Sequence, residues 1–309
     1  MTGAAPSTGL IAAEHGKLMR RVAVAAVVTA SLLVLLKAVA FILTNSMAMM
    51  ASMADSALDV FASFINLLAV RHALTPADHE HRFGHGKAEP LAGLAQAAFI
   101  SGSATFLVIE SIDRMIDVRT IEHGTIGLVV MGISIAATLV LVIAQQYVVR
   151  RTGSIAISAD RMHYLSDILV NLGVIAGIVL ATEFALPLAD PVMGLVIALV
   201  LVAGIWQVFR QSYDQLMDRE LPDADRERIK AIALSHADVL DMHDLRTRAA
   251  GTQSFIQLHI EMDPALSLYQ AHAIADEVEN EIRAIYPLAE IIIHQDPKGL
   301  EAPEELAKS

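Results

Sequence analysis

Apolar residues are gathered into six runs, each about as long as the roughly twenty residues that cross a bilayer as a helix. They extend approximately from Val22 to Leu43, Met47 to Val70, Leu91 to Ile112, Thr125 to Val149, Ile155 to Ala181 and Pro191 to Phe209. In lipid every backbone amide must find its partner within the protein, so runs of this length predict six membrane-spanning helices. The polar positions between them are asymmetric. Lys17, Arg20 and Arg21 precede the first run, Arg71, Arg82 and Lys87 separate the second from the third, Arg150 and Arg151 follow the fourth, and Arg210 follows the sixth. Thr44 to Ser46 and Thr182 to Asp190 carry neither Lys nor Arg, and the remaining loop offsets Arg114 and Arg119 with Asp113, Asp117 and Glu122. Positive charge on alternate loops predicts that both termini lie in the cytoplasm.

Beyond the sixth run the pattern changes. Pro222 and Asp223 suit a helix entrance, and the helix they open is expected to reach about His236. Two alternating runs, Val239 to Arg248 and Thr252 to Met262, flank Ala249, Ala250 and Gly251 and read as a hairpin. In the second run Ile256, Leu258, Ile260 and Met262 share one face, whereas Gln257, His259 and Glu261 share the other. Ala271, Ile274, Val278, Ile282 and Ile285 recur at helical spacing between Ser267 and Tyr286, and the run Glu290 to His294 is strand-like. The expected order is helix, strand, strand, helix, strand, a small α+β domain with helices on one face of a sheet. Three regions follow: a polar extension over 1–16, an all-α six-helix membrane domain over 17–212, and an αββαβ domain over 213–309.

Composition sharpens this division. Of 309 residues 55% are hydrophobic, with a mean hydropathy of +0.53, above the range of soluble domains. Most of the net charge of -12 lies beyond Tyr213. With no basic stripe to displace counterions from phosphates, nucleic acid is excluded as a partner; metal cations suit the acidic balance. The chain has no cysteine, so disulfides and thiolate sites are excluded and a transition metal must be held by imidazole and carboxylate. The first run is as long as a full span and has no small-residue cleavage site, so it reads as a retained helix.

Two polar pairs interrupt the spans. Asp55 and Asp59, in the second, are four residues apart and project from one helical face; His163 and Asp167 repeat the spacing in the fifth. An ionised group at mid-bilayer costs about 2.5–3.5 kcal/mol on insertion scales. Interhelical hydrogen bonding returns only about 0.6–2 kcal/mol per contact, so four such groups point to a ligand. Packed together, the pairs offer three carboxylates and one imidazole, a set suited to tetrahedral Zn²⁺. Metal requires deprotonated carboxylate and neutral imidazole, so protons compete for the same atoms and exchange of metal for protons needs nothing further.

These strings, with Phe83-Gly84-His85-Gly86-Lys87-Ala88-Glu89-Pro90, His243-Asp244-Leu245-Arg246-Thr247-Arg248 and His294-Gln295-Asp296-Pro297, resemble the cation diffusion facilitator family, in its bacterial zinc and ferrous-iron efflux branch. The resemblance covers nearly the whole chain apart from Met1 to Gly16. It implies a homodimeric metal/proton antiporter of the bacterial inner membrane, with a cytoplasmic metallochaperone-like domain. It also associates histidine at the position of His163 with zinc or cadmium. Asp78, His81 and His85 are spaced to ligate one ion, and the family places a second site there; His72 and His79 are read as solvent-facing. The resemblance further implies a binuclear site at the dimer interface from His243, His259, His272, His294 and Asp296, with Asp276 one turn beyond His272, Asp296 able to bridge and His236 left out.

Other polar and small residues have plainer readings. Asn66 and Asn171 are expected to hydrogen-bond neighbouring helices, Gly93, Ala97, Ser101 and Gly102 to permit close packing near a two-fold axis, and Met47, Met49, Met50 and Met53 to pack or face lipid. Phe83 to Lys87 lacks the Walker spacing and reads as a turn. The function that follows is export of Zn²⁺, with Cd²⁺ or Fe²⁺ as further cargo, by alternating access and in exchange for protons. Two other classes stay open: a metal-sensing membrane receptor acting through the tail, and an intramembrane metallohydrolase, for which the spans offer no HExxH motif.

Overall fold

A computed structural model describes residues 8–44, 47–116, 125–183 and 188–299. The long helices are α1 (Thr8–Thr44), α2 (Met47–Ala73), α3 (Ala88–Ile116), α4 (Thr125–Thr152), α5 (Ile155–Glu183) and α6 (Ala189–Leu216). Among the described residues, Gly9–Thr44, Ser52–Ala73, Ala88–Ile116, Val129–Thr152 and Pro191–Leu216 are long and apolar enough to cross a membrane. α5 is as long as these, and Asp160, Arg161, His163 and Asp167 lower the apolarity of its first half. Residues 8–16, read as part of a polar extension, form the first turns of α1. Residues 45–46 and the loop charges Asp117, Arg119 and Glu122 lie outside the described residues.

The chain divides into two compact units, one of them His15–Tyr213 and the other including Asp214–Ser309. In the first, α5 packs against α2, α3 and α4. Its position is set at a sharp corner. Gly153, at φ 68°, closes α4 in the left-handed conformation that costs glycine nothing. Ser154 then opens α5, its Oγ accepting from the amide of Ile157 at 3.3 Å and donating to the buried Glu89 carboxylate on α3. That carboxylate also accepts from the amide of Ala156 at 3.4 Å. One buried acid thus satisfies the first turn of α5, where amides have no intrahelical partner.

Small residues serve packing within the chain. A Cβ on Gly93 would stand 2.2 Å from Ser212 Oγ, one on Gly173 2.0 Å from the Ile197 side chain, and one on Gly204 2.3 Å from Met162. Gly93 and Ala97 are therefore packed against α5 and α6 within the chain. Outward faces are apolar: Leu32, Leu35, Val39, Ile42 and Leu43 of α1 are exposed, as lipid contact requires. Met49 packs with Ala40 and Val130. Asn171 bonds within its own helix, Nδ2 to the Asp167 carbonyl at 2.7 Å, and the buried Asn66 amide meets no partner among the described residues, so neither joins two helices as expected.

In the second unit α7 (Asp223–Ala233), β1 (Asp241–Ala250), β2 (Gln253–Met262), α8 (Leu268–Ile285) and β3 (Ala289–Pro297) follow the expected order. β2 is central, antiparallel to β1 and parallel to β3. The hairpin turn is tighter than expected, since pairing continues to Ala250 and Gln253 and Gly251, at φ 62°, takes the left-handed position. Ile256, Leu258, Ile260 and Met262 are buried against Ile229, Ile274, Val278 and Ile282 of the two helices. Their polar alternates are left on the opposite face of the sheet.

Candidate metal centre

α2 and α5 bring Asp59, His163 and Asp167 together. Nε2 of His163 lies 3.1 Å from Asp59 Oδ1 and 3.9 Å from Asp167 Oδ2, and one donor atom from each residue falls within 4.8 Å of the others. Asp59 and His163 are 9% and 7% exposed. Asp55 stands one turn earlier on α2 and is exposed; it lines the same cavity without joining the group of three. The cavity encloses about 700 Å³ and is walled by residues of α1 through α5, among them Ser134 and Thr138 of α4. Two carboxylates and an imidazole at this spacing can close on a single divalent ion, with Asp55 one helical turn away as a fourth donor.

One turn before His163, Asp160 is fully buried and gathers four helices. It accepts from Gln145 Nε2 of α4 at 2.7 Å, Gln96 Nε2 of α3 at 3.3 Å and Ser63 Oγ of α2 at 3.5 Å. Ser63 Oγ is 2.6 Å from the Tyr164 hydroxyl, which donates to the Ala26 carbonyl of α1 at 3.2 Å. This network fixes the rotation of α5, and so the aim of His163, through partners on α1, α2, α3 and α4. Pair spacing on single helices does not reveal it, since Asp160 lies three residues before His163 and its partners come from elsewhere. Lys37 was equally hidden: its ammonium, on α1, lines the cavity and donates to Ser56 Oγ at 2.6 Å. A lone basic residue inside the first apolar run was the available signal.

The loop between α2 and α3 holds a second cluster. Asp78 Oδ2 is 3.3 Å from His85 Nε2 and Asp78 Oδ1 is 3.4 Å from His81 Nδ1, and the three residues can turn their donors within 4.8 Å of one another. Asp78 accepts from the amides of His81 at 2.6 Å and Glu80 at 2.9 Å. The His81 amide above all, and then that of Glu80, hold its carboxyl below the usual range. His85 is buried, its Nδ1 3.3 Å from the Thr75 carbonyl, whereas His72 and His79 are exposed.

A third cluster crosses the sheet of the second unit. His243, His259 and His294 occupy paired positions on β1, β2 and β3. Asp296 Oδ2 is 2.9 Å from His259 Nδ1 and 3.4 Å from His243 Nε2, and Asp296 Oδ1 is 3.2 Å from His294 Nε2. Glu261, paired with Asp296 in register, brings Oε1 to 3.8 Å from His243 Nδ1. Its place beside His259 on the polar face was legible in the alternation, yet the motifs passed over it. The register irregularity after His243, with Asp244 at φ 50°, bends β1 where the cluster begins. His272 stands apart on α8, exposed and 3.6 Å from Asp276. Within one chain the tail cluster therefore holds His243, His259, His294 and Asp296 but not His272.

Known proteins carry the same arrangement of parts. The model of the cation efflux transmembrane domain matches residues 23–217, and that of the cation efflux protein cytoplasmic domain matches 221–298. The chain belongs to the cation diffusion facilitator family. A cation-efflux pump, FieF of Citrobacter koseri, is 43% identical over 283 residues, covering 92% of this chain and 94% of that one. Protein p34 of Rickettsia prowazekii is 41% identical over 288 residues, covering 93% and 95%. A solved structure of CzrB in its Zn form is 32% identical, covers 28% of this chain and 99% of its own, and has a TM-score of 0.26. The chain is thus a multi-pass cation-efflux transporter and not an enzyme, built of membrane helices and an αββαβ tail of the family's dimerisation type. The metallohydrolase reading falls with that finding.

Proposed function

We propose that this transporter exports Zn²⁺, and with it Cd²⁺ or Fe²⁺, in exchange for protons, by alternating access of a site formed by Asp55, Asp59, His163 and Asp167. The observation that carries the reading is the convergence of Asp59, His163 and Asp167 donors within 4.8 Å at the wall of a cavity inside the membrane helices. An imidazole among carboxylates favours zinc over the hard cations that all-oxygen sites hold. The same atoms take protons when metal leaves, so one site can serve both ions in turn. The reading places the protein in the bacterial inner membrane as a homodimer with both termini in the cytoplasm. The membrane domain, 17–212, carries the ion, and the tail, 213–309, joins the protomers. Asp78, His81 and His85 form a loop site, and His243, His259, His294 and Asp296, with His272 supplied across the dimer, form a binuclear one. A cation bound between two acidic tails reduces their repulsion and tightens the dimer.

Zinc uptake into proteoliposomes, with and without a pH gradient, tests the proposal for the native chain and for Asp59→Ala. Flux that needs the gradient and disappears in the variant is expected; retained flux in Asp59→Ala overturns the site. The tail cluster also favours a sensing role, and a zinc response that depends on His259 and not on Asp55 would make the protein a receptor first.

A further inference from the structure

A cavity that attracts cations has a lysine in its wall. Lys37 lies in the apolar run of α1 and is only 9% exposed, yet its Nζ faces the cavity that Asp55, Asp59 and Asp167 line. Hydroxyl and carbonyl oxygens hold it: Ser56 Oγ at 2.6 Å and the Ser52 carbonyl at 3.3 Å, both on α2 beside Asp55. A buried lysine in a membrane helix is as unfavourable as a buried aspartate, and a positive charge here opposes the very ligand the carboxylates attract. A tether between α1 and α2 would be served as well by a neutral amide or hydroxyl.

We propose that Lys37 is a resident cation of the metal cavity, balancing one of its three carboxylates so that a single divalent ion brings the site to neutrality. The inference rests on the reading of the cavity as the metal site. With His163 neutral, as a metal ligand must be, the three ionised carboxylates of the lining and one ammonium leave two negative charges, the complement of one divalent ion. Asp160 is not among the lining residues and is met by Gln145, Gln96 and Ser63. In a low-dielectric cavity an uncompensated charge is strongly disfavoured, so a second divalent ion is refused and a single monovalent one leaves the site unbalanced. The ammonium also weakens the hold on the bound ion, which a carrier needs because an ion bound too tightly is not released. Lys37 is in this sense a specificity-determining residue that never touches the cargo.

The test is equilibrium Zn²⁺ binding to the purified full-length protein, together with zinc flux in proteoliposomes, for the native chain, Lys37→Gln, Lys37→Met, Lys37→Arg and Asp59→Ala. Lys37→Gln, one atom shorter, keeps a hydrogen-bond donor on the side of Ser56 and removes the charge, and Lys37→Met has the length of Gln without the donor. The Asp59-dependent binding is expected to tighten on the order of tenfold in Lys37→Gln and Lys37→Met. Maximal flux falls in both, and Lys37→Arg keeps the native values. Native affinity and flux in Lys37→Gln overturn the inference, as does a lowered melting temperature with unchanged affinity, which would make Lys37 a tether. Zinc binding that Asp59→Ala leaves intact overturns the reading of the cavity itself.

Discussion

Imidazole and carboxylate are each ordinary side chains; their chemistry here comes from how few other partners they have. His163 lies between Asp59 and Asp167 inside the helices, where, under the proposed function, each donor serves metal or proton in turn. Replacing Asp167 with Ala is expected to reduce zinc flux by at least about a hundredfold, a loss of about 2.7 kcal/mol of binding or more, with the melting temperature little changed. Asp160 should behave in the opposite way. Its removal strands the buried amides of Gln145 and Gln96, so Asp160→Ala should cost about 3 kcal/mol in stability, read as a lower melting temperature of the full chain, with Asp160→Asn milder. At this scale the sequence exposed the i, i+4 pairs, because their spacing is a property of one helix. It concealed the partners of Asp160 and Lys37, because those come from different helices and no spacing rule connects them.

Helix ends decide where these residues point. Gly153 takes a left-handed conformation at the corner that launches α5, so Gly153→Ala is expected to cost roughly 1–2 kcal/mol, visible as earlier thermal unfolding. In the tail, α8 begins with a capping box: Ser267 Oγ accepts from the Gln270 amide at 3.3 Å and the Gln270 side chain returns to the Ser267 amide at 3.0 Å. Ser267→Ala should weaken that end by about 1 kcal/mol, measured as faster amide exchange in the first turn of α8. Its other end ties to α7 through the Tyr286 hydroxyl, which donates to Asp225 Oδ1 at 2.8 Å. Burial first, and the acceptor Asp225 second, push the phenol up to about 12. A raised folded-state value means the contribution is complete below the ordinary pKa of about 10 and fades as pH rises toward 12. Tail stability should therefore fall over that window in the native chain and fall less in Tyr286→Phe. The helices and strands were legible from their periods; the corner and the tighter hairpin were not, because single residues at positive φ leave no periodic trace.

At the scale of the whole molecule, the three clusters of His and Asp among the described residues would, under the proposed function, divide the labour that one site could not perform. Carrying an ion requires release, whereas joining two acidic tails requires retention. Under the proposed function, His259→Ala should weaken zinc-dependent dimerisation of the full chain, read as molar mass by light scattering in detergent, while leaving Asp59-dependent flux measurable. Flux lost together with dimerisation would mean that the tail gates transport.

The sequence by itself determined the membrane helices, the αββαβ tail, the absence of thiolate chemistry and the residue types of all three clusters. These follow from hydropathy, period and composition, which are local or additive along the chain. Only the tertiary structure decided that Asp59, His163 and Asp167 converge while Asp55 lines the cavity a turn away. It alone set Lys37 in the cavity wall, joined Glu261 to the tail cluster and left His272 apart. Convergence depends on the rotation and register of separate elements, and those are set by packing across the fold, where a glycine facing Ser212 or a buried acid at a helix start outweighs anything encoded within one segment.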